Sequence, residues 1–279
     1  MWSGSKARSA PPSGTLDAMA DTKHVVLIHG TWLRGDSWAD TRAEFEQRGY
    51  TVHTPTLRFH DLPFEEGAKK VGPVSLRDYA DDLAALVEAL DSPPLLIGHS
   101  LGGLIAQLAA ARTRHAGVVA ACTAPAAGIF SMYPSTARIF LPHYLQSRPW
   151  DKPLYPTTWK LFRSNISNTH TEEAARELYA DLVCDSGRVY CEMAFSWLDR
   201  AKAASVDFAA VTTPVLAIGA ESDKTVNPRV PRTTATKYRQ GTYVEIPRSD
   251  HLVFVGESLP LTMSRIDDWM ARNNVLSAA

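Results

Sequence analysis

The feature that most constrains the fold of this chain is a glycine-flanked serine within residues 95–103, LLIGHSLGG. An apolar run typical of a buried strand leads directly into Gly98-x-Ser100-x-Gly102, and an alanine- and leucine-rich segment typical of a helix follows. This order predicts a sharp strand-to-helix turn that presents the Ser100 hydroxyl in the open. Side chains at the two glycine positions would clash within so tight a turn, and we expect Ser100 to adopt an unusual backbone conformation.

Strands and helices alternate on both sides of this turn. The apolar run at residues 24–28 is typical of a strand buried on both faces of a parallel sheet. The clearest helix is predicted over residues 75–90, where Ser75 and Asp78 can form a capping box. The other strands are predicted at 50–53, 95–97, 117–122, 214–219 and 242–246, and the other helices at 37–48, 101–112, 228–238 and 259–273. This alternation predicts an α/β fold with a mostly parallel sheet of about six strands flanked by helices.

Between the two halves of this pattern the alternation stops. Residues 125–206 are rich in proline, aromatic residues and methionine, and they contain helical patterns at 171–183 and 187–203 but no clear strand. We interpret residues 125–206 as a helical cap insertion, and residues 23–124 and 207–279 as the core that carries it. Because ligand sites in parallel α/β sheets lie outside the carboxyl ends of the strands, we expect the insertion to lie on that side of the sheet.

The first 22 residues differ in composition from the rest. Residues 1–22 are rich in serine, alanine, glycine and proline, so we predict a disordered leader. The segment has no apolar stretch of the kind found in a secretory signal. Met19 directly precedes the first strand and is a candidate start of the natural chain.

Composition argues against several classes of function. A formal net charge of -1 gives no sign of a basic face for nucleic acid or anionic lipid. No apolar run approaches the roughly 20 residues of a membrane span, so no membrane partner is predicted. Three cysteines without CxxC spacing predict free thiols and a cytoplasmic protein. The histidines lack HExxH spacing, so we predict no metal site. The sequence leaves the oligomeric state open.

Candidate partners for Ser100 follow the last two predicted strands of the core. A serine hydroxyl needs a base to take its proton and an acid to orient that base. Asp223 follows the strand at 214–219, and His251 follows the strand at 242–246. We therefore predict Ser100 as the nucleophile, His251 as the general base and Asp223 as the orienting acid.

Two backbone amides are candidates for an oxyanion hole. A tetrahedral intermediate carries a negative oxygen, and donors must already point at it. The N–H of Leu101 begins the helix after the serine and is the first predicted donor. The second is expected in the loop after the first strand, where Gly30 lets the backbone pass close to the serine. There the N–H of Thr31 is preferred, and the N–H of Trp32 is the alternative.

These residues resemble the α/β-hydrolase fold superfamily, whose members share the chain order serine, aspartate, histidine. The resemblance rests on His29-Gly30, the GHSLGG motif, Asp223 and the late His251, and it covers about residues 23–275. The chain is most similar to the small-cap esterase, lactonase and carbon–carbon hydrolase group. The resemblance implies a two-step acyl transfer without a cofactor, in which water releases the acyl group. The larger members of this superfamily have two strands before the His-Gly strand. Residues 1–22 are predicted to be a disordered leader and not strands, so we expect about six strands in this chain.

The sequence thus predicts a serine hydrolase that cleaves a carboxylic ester or lactone of a small, largely apolar substrate. Aromatic and methionine side chains would line an apolar pocket, and the candidates are Trp32, Met132, Tyr133 and Trp159. Two alternatives stay open, because fold and triad do not decide the reaction. The first is carbon–carbon bond hydrolysis, hydroxynitrile lyase or perhydrolase chemistry with the same triad. The second is a non-catalytic ligand-binding relative.

Overall fold

The computed structural model describes residues 23–276, so the predicted leader at residues 1–22 lies outside the described residues. In chain order the strands are β1 (His24–Ile28), β2 (Thr51–His53), β3 (Leu95–His99), β4 (Gly117–Ala121), β5 (Pro153–Leu154), β6 (Asp185–Ser186), β7 (Val215–Ala220) and β8 (Gly241–Ile246). The helices are α1 (Ala39–Gln47), α2 (Phe64–Val71), α3 (Leu76–Glu88), α4 (Leu101–Ala110), α5 (Pro134–Tyr144), α6 (Trp159–Leu161), α7 (Glu172–Ala180), α8 (Gly187–Ala194), α9 (Arg229–Ala235) and α10 (Leu259–Asn273).

Six of the strands form one parallel sheet in the order β2-β1-β3-β4-β7-β8, which confirms the predicted α/β fold. β1, β3, β4 and β7 are buried along their whole length, as the apolar runs indicated. In parallel strands the carboxyl ends meet at one edge of the sheet. Ile28 is in register with Gly98, and His99 with Ala121. The loops that follow β1, β3, β7 and β8 therefore open on the same edge.

Helices cover both faces of this sheet because side chains alternate across each strand. Val26 and Ile28 of β1 belong to an apolar core shared with α3 and α4. Val25 and Leu27 belong to a second core, which includes side chains of α1 and α10. The sheet is thus the middle layer of three, and its carboxyl edge carries the candidate residues.

The segment at residues 125–206 differs in part from its prediction. It contains helices α5 to α8, and α6 continues into a π-helical turn. It also contains a small antiparallel sheet of β5 and β6, so the expectation of a segment without strands was wrong. Strands of two residues are too short to leave a period-two pattern. The helices predicted at 171–183 and 187–203 end earlier, at Ala180 and Ala194. The domain boundaries stay a prediction.

No helix within residues 23–276 combines the length and apolar character needed to cross a membrane. The three cysteines, Cys122, Cys184 and Cys191, all lie in the described part of the chain and carry free thiols. The thiol state is the one that the spacing of the cysteines predicted.

Candidate active site

Ser100 occupies the sharp turn between β3 and α4. Its backbone angles, φ 53° and ψ -118°, lie in a region that residues with side chains seldom adopt. The Ser100 N–H donates to the carbonyl oxygen of Ala121 at 2.9 Å, which holds the turn against β4. A Cβ on Gly98 would lie 2.1 Å from the carbonyl oxygen of Gly102, and a Cβ on Gly102 would lie 2.2 Å from that of Ile28. Only glycine fits at either position.

His251 and Asp223 meet at the carboxyl edge of the sheet. The Nδ1 atom of His251 lies 2.8 Å from Oδ2 of Asp223, and both side chains are buried. The other carboxylate oxygen accepts the N–H groups of Thr225 and Val226, each at 2.8 Å. Because the carboxylate only accepts, Nδ1 carries the proton, and Nε2 keeps a lone pair that can take another. His251 lines the same cavity as Ser100.

The other acidic side chains near this loop have different partners. Asp250 accepts the N–H of Thr169 at 2.7 Å and pairs with Nδ1 of His170 at 3.1 Å. Glu221 accepts a backbone N–H at 2.7 Å. Asp223 is therefore the carboxylate that the structure brings to the histidine after β8.

Two further histidines hold backbone segments of the site. Nε2 of His99 lies 2.7 Å from the carbonyl oxygen of His251, which ties the residue before the nucleophile to the loop of the candidate base. Nε2 of His29 accepts the N–H of Leu57 at 3.0 Å, so Nδ1 carries the proton and donates to the carbonyl oxygen of Gly30 at 2.9 Å. Burial lowers the pKa of His29 and of His99 to about 3, and both are neutral at pH 7.

The contact of His29 with Gly30 also orients the predicted oxyanion donor on Thr31. The Gly30 carbonyl and the Thr31 N–H belong to one planar trans peptide, in which they point in opposite directions. A bond that fixes the carbonyl therefore fixes the N–H. A Cβ on Gly30 would lie 3.0 Å from Cβ of Ser100, so this loop lies directly against Ser100.

The other two predicted donors differ in their present partners. The N–H of Leu101 begins α4 and has no acceptor within its own helix. The N–H of Trp32 donates to Oδ2 of Asp185 at 3.3 Å. Trp32 is thus already engaged, whereas Leu101 and Thr31 stay the predicted pair.

A buried ion pair behind this loop escaped the sequence analysis. Oδ2 of Asp185, in β6, lies 3.5 Å from Nε2 of His60, and neither side chain is exposed. Burial opposes both charges, but each group stabilises the other, so the pKa of His60 is raised and that of Asp185 is lowered. The Tyr190 hydroxyl of α8 adds a hydrogen bond to Oγ1 of Thr31. Residues within the segment 125–206 therefore hold the loop that carries Thr31 and Trp32. The one sequence signal for Asp185 is an acid directly after the apolar run LVC.

Two apolar cavities meet at Ser100. The first has an empty volume of about 790 Å³ including its open mouth. Its apolar lining includes Trp32, Leu33, Trp38, Phe162, Leu178, Leu182 and Phe254. The second has an empty volume of about 640 Å³ including its mouth. Its lining includes Ala124, Met132, Ala137, Tyr144, Met193, Ala194 and Val230. Among residues 23–276, no aspartate, glutamate, lysine or arginine lines either cavity.

Two of the four predicted pocket residues lie in these linings, Trp32 in the first cavity and Met132 in the second. Tyr133 and Trp159 line neither. The Tyr133 ring packs against a neighbouring phenylalanine at 5.3 Å. The Trp159 ring packs against Tyr179 at 5.4 Å and lies beneath the guanidinium of Arg176 at 4.6 Å. The helical pattern could not show which side of the insertion faces the cavities.

One group of potential metal ligands lies at the site. The ligand atoms of His99, Cys122 and His251 are within 4.8 Å of one another. Metal binding to cysteine requires the thiolate, but burial and the nearby Asp223 carboxylate raise the pKa of the Cys122 thiol well above its usual value. The raised pKa of the Cys122 thiol disfavours metal binding by this group.

Comparisons with known proteins support the fold. A model of the alpha/beta hydrolase family matches residues 25–260. A pyrethroid hydrolase from Sphingobium wenxiniae is 35% identical over 79 residues, which are 28% of this chain and 27% of that protein. A carbendazim hydrolyzing esterase from a Nocardioides species is 32% identical over 81 residues, which are 29% of this chain and 32% of that protein. The matches thus span about a third or less of the length of these curated relatives.

Similarity to solved structures extends over most of the chain. The crystal structure of a pyrethroid hydrolase from Sphingobium faniae superposes with a TM-score of 0.65 and 22% sequence identity. The superposition covers 90% of this chain and 98% of that one. At this level of identity, the similarity shows a shared fold.

Proposed function

The chain belongs to the alpha/beta hydrolase family, and we propose that it is a serine hydrolase that cleaves a carboxylic ester or lactone of a small, largely apolar substrate. The observation that carries the proposal is the His251–Asp223 contact at 2.8 Å, since His251 lines the cavity that contains Ser100. A base oriented by an acid, in the same cavity as a serine hydroxyl, is what nucleophilic catalysis by serine requires.

In the proposed reaction, Ser100 Oγ attacks the carbonyl carbon while His251 Nε2 takes its proton. Asp223 holds the imidazole through Nδ1 and stabilises the imidazolium. The N–H groups of Leu101 and Thr31 donate to the negative oxygen of the tetrahedral intermediate. His251 then protonates the departing alkoxide. A water molecule, deprotonated by the same histidine, attacks the acyl-enzyme and releases the acid.

The cavity linings support a neutral, apolar substrate. Apolar and aromatic side chains dominate both linings, and within the described part of the chain no aspartate, glutamate, lysine or arginine contributes to them. A charged group placed there would lose its hydration without gaining an ion-pair partner. Two relatives are named as a hydrolase and an esterase, which supports hydrolysis as the reaction class.

The substitution Ser100→Ala tests the proposal. We expect hydrolysis of p-nitrophenyl butyrate to fall by about 10³-fold or more, because the nucleophile is lost. A fluorophosphonate probe is expected to label the unaltered protein and to leave the variant unlabelled. Ser205 is exposed, and Ser205→Ala is the matched control. This variant should keep both the hydrolysis and the labelling. Undiminished turnover by Ser100→Ala would refute the proposed nucleophile.

Parallel assays separate the two bond types in the proposal. Hydrolysis of p-nitrophenyl butyrate reports an open-chain ester, and ring opening of dihydrocoumarin reports a lactone. Ser100 labelled by the probe, with turnover of neither compound, would contradict the substrate class but not the nucleophile.

A further inference from the structure

The two cavities share three lining residues and otherwise lie on different sides of the nucleophile. Ser100, Phe140 and Thr225 line both. The first cavity lies between the loops after β1 and β8 and the side chains Leu178 and Leu182 of the insertion. The second is lined by residues that follow β4 and β7 and by side chains of α5 and α8. A substrate bonded to Ser100 can therefore extend in two directions.

Phe140, on α5, separates the two spaces. Its ring stacks on that of Tyr190 with centroids 4.6 Å apart, and it lies 6.0 Å from the ring of Trp32. Tyr190 lines only the second cavity and Trp32 only the first. The half-buried Phe140 is thus packed between one aromatic residue from each side.

The position of His251 assigns a role to each space. His251 and the loop with Gly30 and Thr31 line only the first cavity. In ester cleavage, the bond between Ser100 Oγ and the carbonyl carbon forms, and the bond from that carbon to the alcohol oxygen breaks. The proton that His251 took from Ser100 goes to that alcohol oxygen, which must therefore lie on the side of His251. Water then adds to the acyl-enzyme, releases the acid and restores the Ser100 hydroxyl.

We propose that this protein takes open-chain esters that are apolar on both sides of the scissile bond, with the alcohol group in the first cavity and the acyl group in the second. The inference rests on the proposed function and narrows its substrate class. A small lactone has its alcohol and acyl parts joined in one ring and can fill only one of the spaces. An ester with two bulky apolar groups gains apolar burial in both.

Two ester series measured in a pH-stat test the assignment. The first keeps acetate and enlarges the alcohol from ethyl to benzyl and naphthylmethyl. The second keeps methanol and enlarges the acyl group from acetyl to hexanoyl and octanoyl. Unaltered protein is expected to give a higher kcat/KM for the larger members of both series.

Filling one cavity at a time should affect one series at a time. Leu178→Phe narrows the first cavity, and we expect the ratio of kcat/KM for naphthylmethyl acetate to that for ethyl acetate to fall at least tenfold. Ala137→Phe narrows the second, and the ratio for methyl octanoate to methyl acetate should fall at least tenfold. In each variant the ratio of the other series should change less than twofold.

Matched controls place the same phenylalanine on exposed positions of the same helices. Arg138→Phe on α5 and Glu177→Phe on α7 are expected to leave both ratios unchanged, since both positions are exposed. If either cavity variant does not fold, as judged by circular dichroism, Leu182→Phe replaces Leu178→Phe and Ala194→Phe replaces Ala137→Phe.

The outcomes that overturn the inference differ from those that overturn the proposed function. If Leu178→Phe lowers the ratio of the acyl series and Ala137→Phe lowers that of the alcohol series, the assignment of alcohol and acyl sides is refuted. Equal effects on both series, or effects on neither, refute two separate subsites. Absence of hydrolysis of every ester in both series with turnover of dihydrocoumarin refutes this inference alone. Absence of turnover of the esters and of dihydrocoumarin, or full activity of Ser100→Ala, refutes the proposed function itself.

Discussion

Hydrogen bonds that involve backbone groups hold the three candidate catalytic residues in place. Ser100 donates its N–H to Ala121, and Asp223 accepts two amides from its own loop. The carbonyl of His251 is hydrogen-bonded by His99. Bonds of this kind limit the conformations open to each residue, so the geometry exists before a substrate binds.

Asp185 is the residue whose effect on catalysis the structure lets us predict. It touches no proposed reacting atom but accepts the N–H of Trp32 at 3.3 Å and pairs with His60. Asp185→Asn keeps the size of the side chain and removes its charge. We expect kcat to fall about tenfold or more, which is about 1.4 kcal/mol of transition-state stabilisation, with KM little changed, because the loop that carries the Thr31 amide loses part of the Trp32 contact that holds it.

A transition-state analogue distinguishes this positioning role from a loss of folding. A trifluoromethyl ketone forms a tetrahedral adduct on serine, and its affinity for Asp185→Asn should fall in parallel with kcat. Asp181→Asn changes an exposed aspartate four residues earlier and serves as the control. An unchanged kcat, or a loss carried by KM alone, would contradict the role of Asp185.

The start of α3 shows how a residue of the segment 125–206 stabilises a helix beside the parallel sheet. Ser75 and Asp78 form the predicted capping box. Glu192, from α8 in the insertion, accepts the Ser75 hydroxyl and the Leu76 N–H, each at 2.8 Å. An acidic side chain at a helix N-terminus is favourable, and this one comes from a separate part of the chain.

Removal of the Ser75 hydroxyl should therefore cost more than the loss of an ordinary helix cap. For Ser75→Ala we expect the free energy of unfolding to fall by about 2 kcal/mol, since Glu192 loses a buried donor together with the cap. Thr171→Ala removes an exposed cap at the start of α7 and should cost about 0.5 kcal/mol. Equal losses in urea unfolding would contradict the link between α8 and α3.

At the scale of the whole molecule, several buried histidines differ in charge. His29 and His99 have pKa values of about 3 because burial disfavours the imidazolium. The pKa values of His60 and His170 are raised by Asp185 and Asp250, although burial opposes this. The folded chain thus keeps two neutral histidines at the site and two histidines paired with buried carboxylates.

Because His29 and His99 stay neutral in the folded chain, we predict that the free energy of unfolding falls as the pH is lowered. Between pH 6.5 and about 3, the unfolded chain binds protons at His29 and His99 that the folded chain does not bind. Each group contributes up to about 1.4 kcal/mol per pH unit. We expect the free energy of unfolding in urea to fall by at least about 2 kcal/mol from pH 6 to pH 4.5.

His60 and His170, which pair with buried carboxylates, do not reverse this fall in the free energy of unfolding. A histidine with a raised pKa contributes its full stabilisation below pH 6.5 and loses it only as the pH rises through the raised value. Asp185 and Asp250 have lowered pKa values, so their contribution is lost below about pH 4. A free energy of unfolding that stays constant between pH 6 and pH 4.5 would contradict the prediction.

The sequence by itself determined the parallel sheet, the sharp turn at Ser100 and the order in which candidate residues follow the strands. These features are local, because an apolar run, a flanking glycine or a capping serine acts within a few residues of itself. A parallel sheet then brings the residues at the carboxyl ends of its strands to one edge. The candidate roles of Ser100, Asp223 and His251 follow from that topology.

Only the tertiary structure decided what surrounds those residues. The bond between Trp32 and Asp185 joins positions 153 residues apart, and no local pattern predicts such a pair. Local patterns likewise do not predict that Phe140 lies between the two cavities, or on which side Trp159 packs. These features arise from side-chain packing between distant segments, and packing depends on shape and buried partners that periodicity does not record.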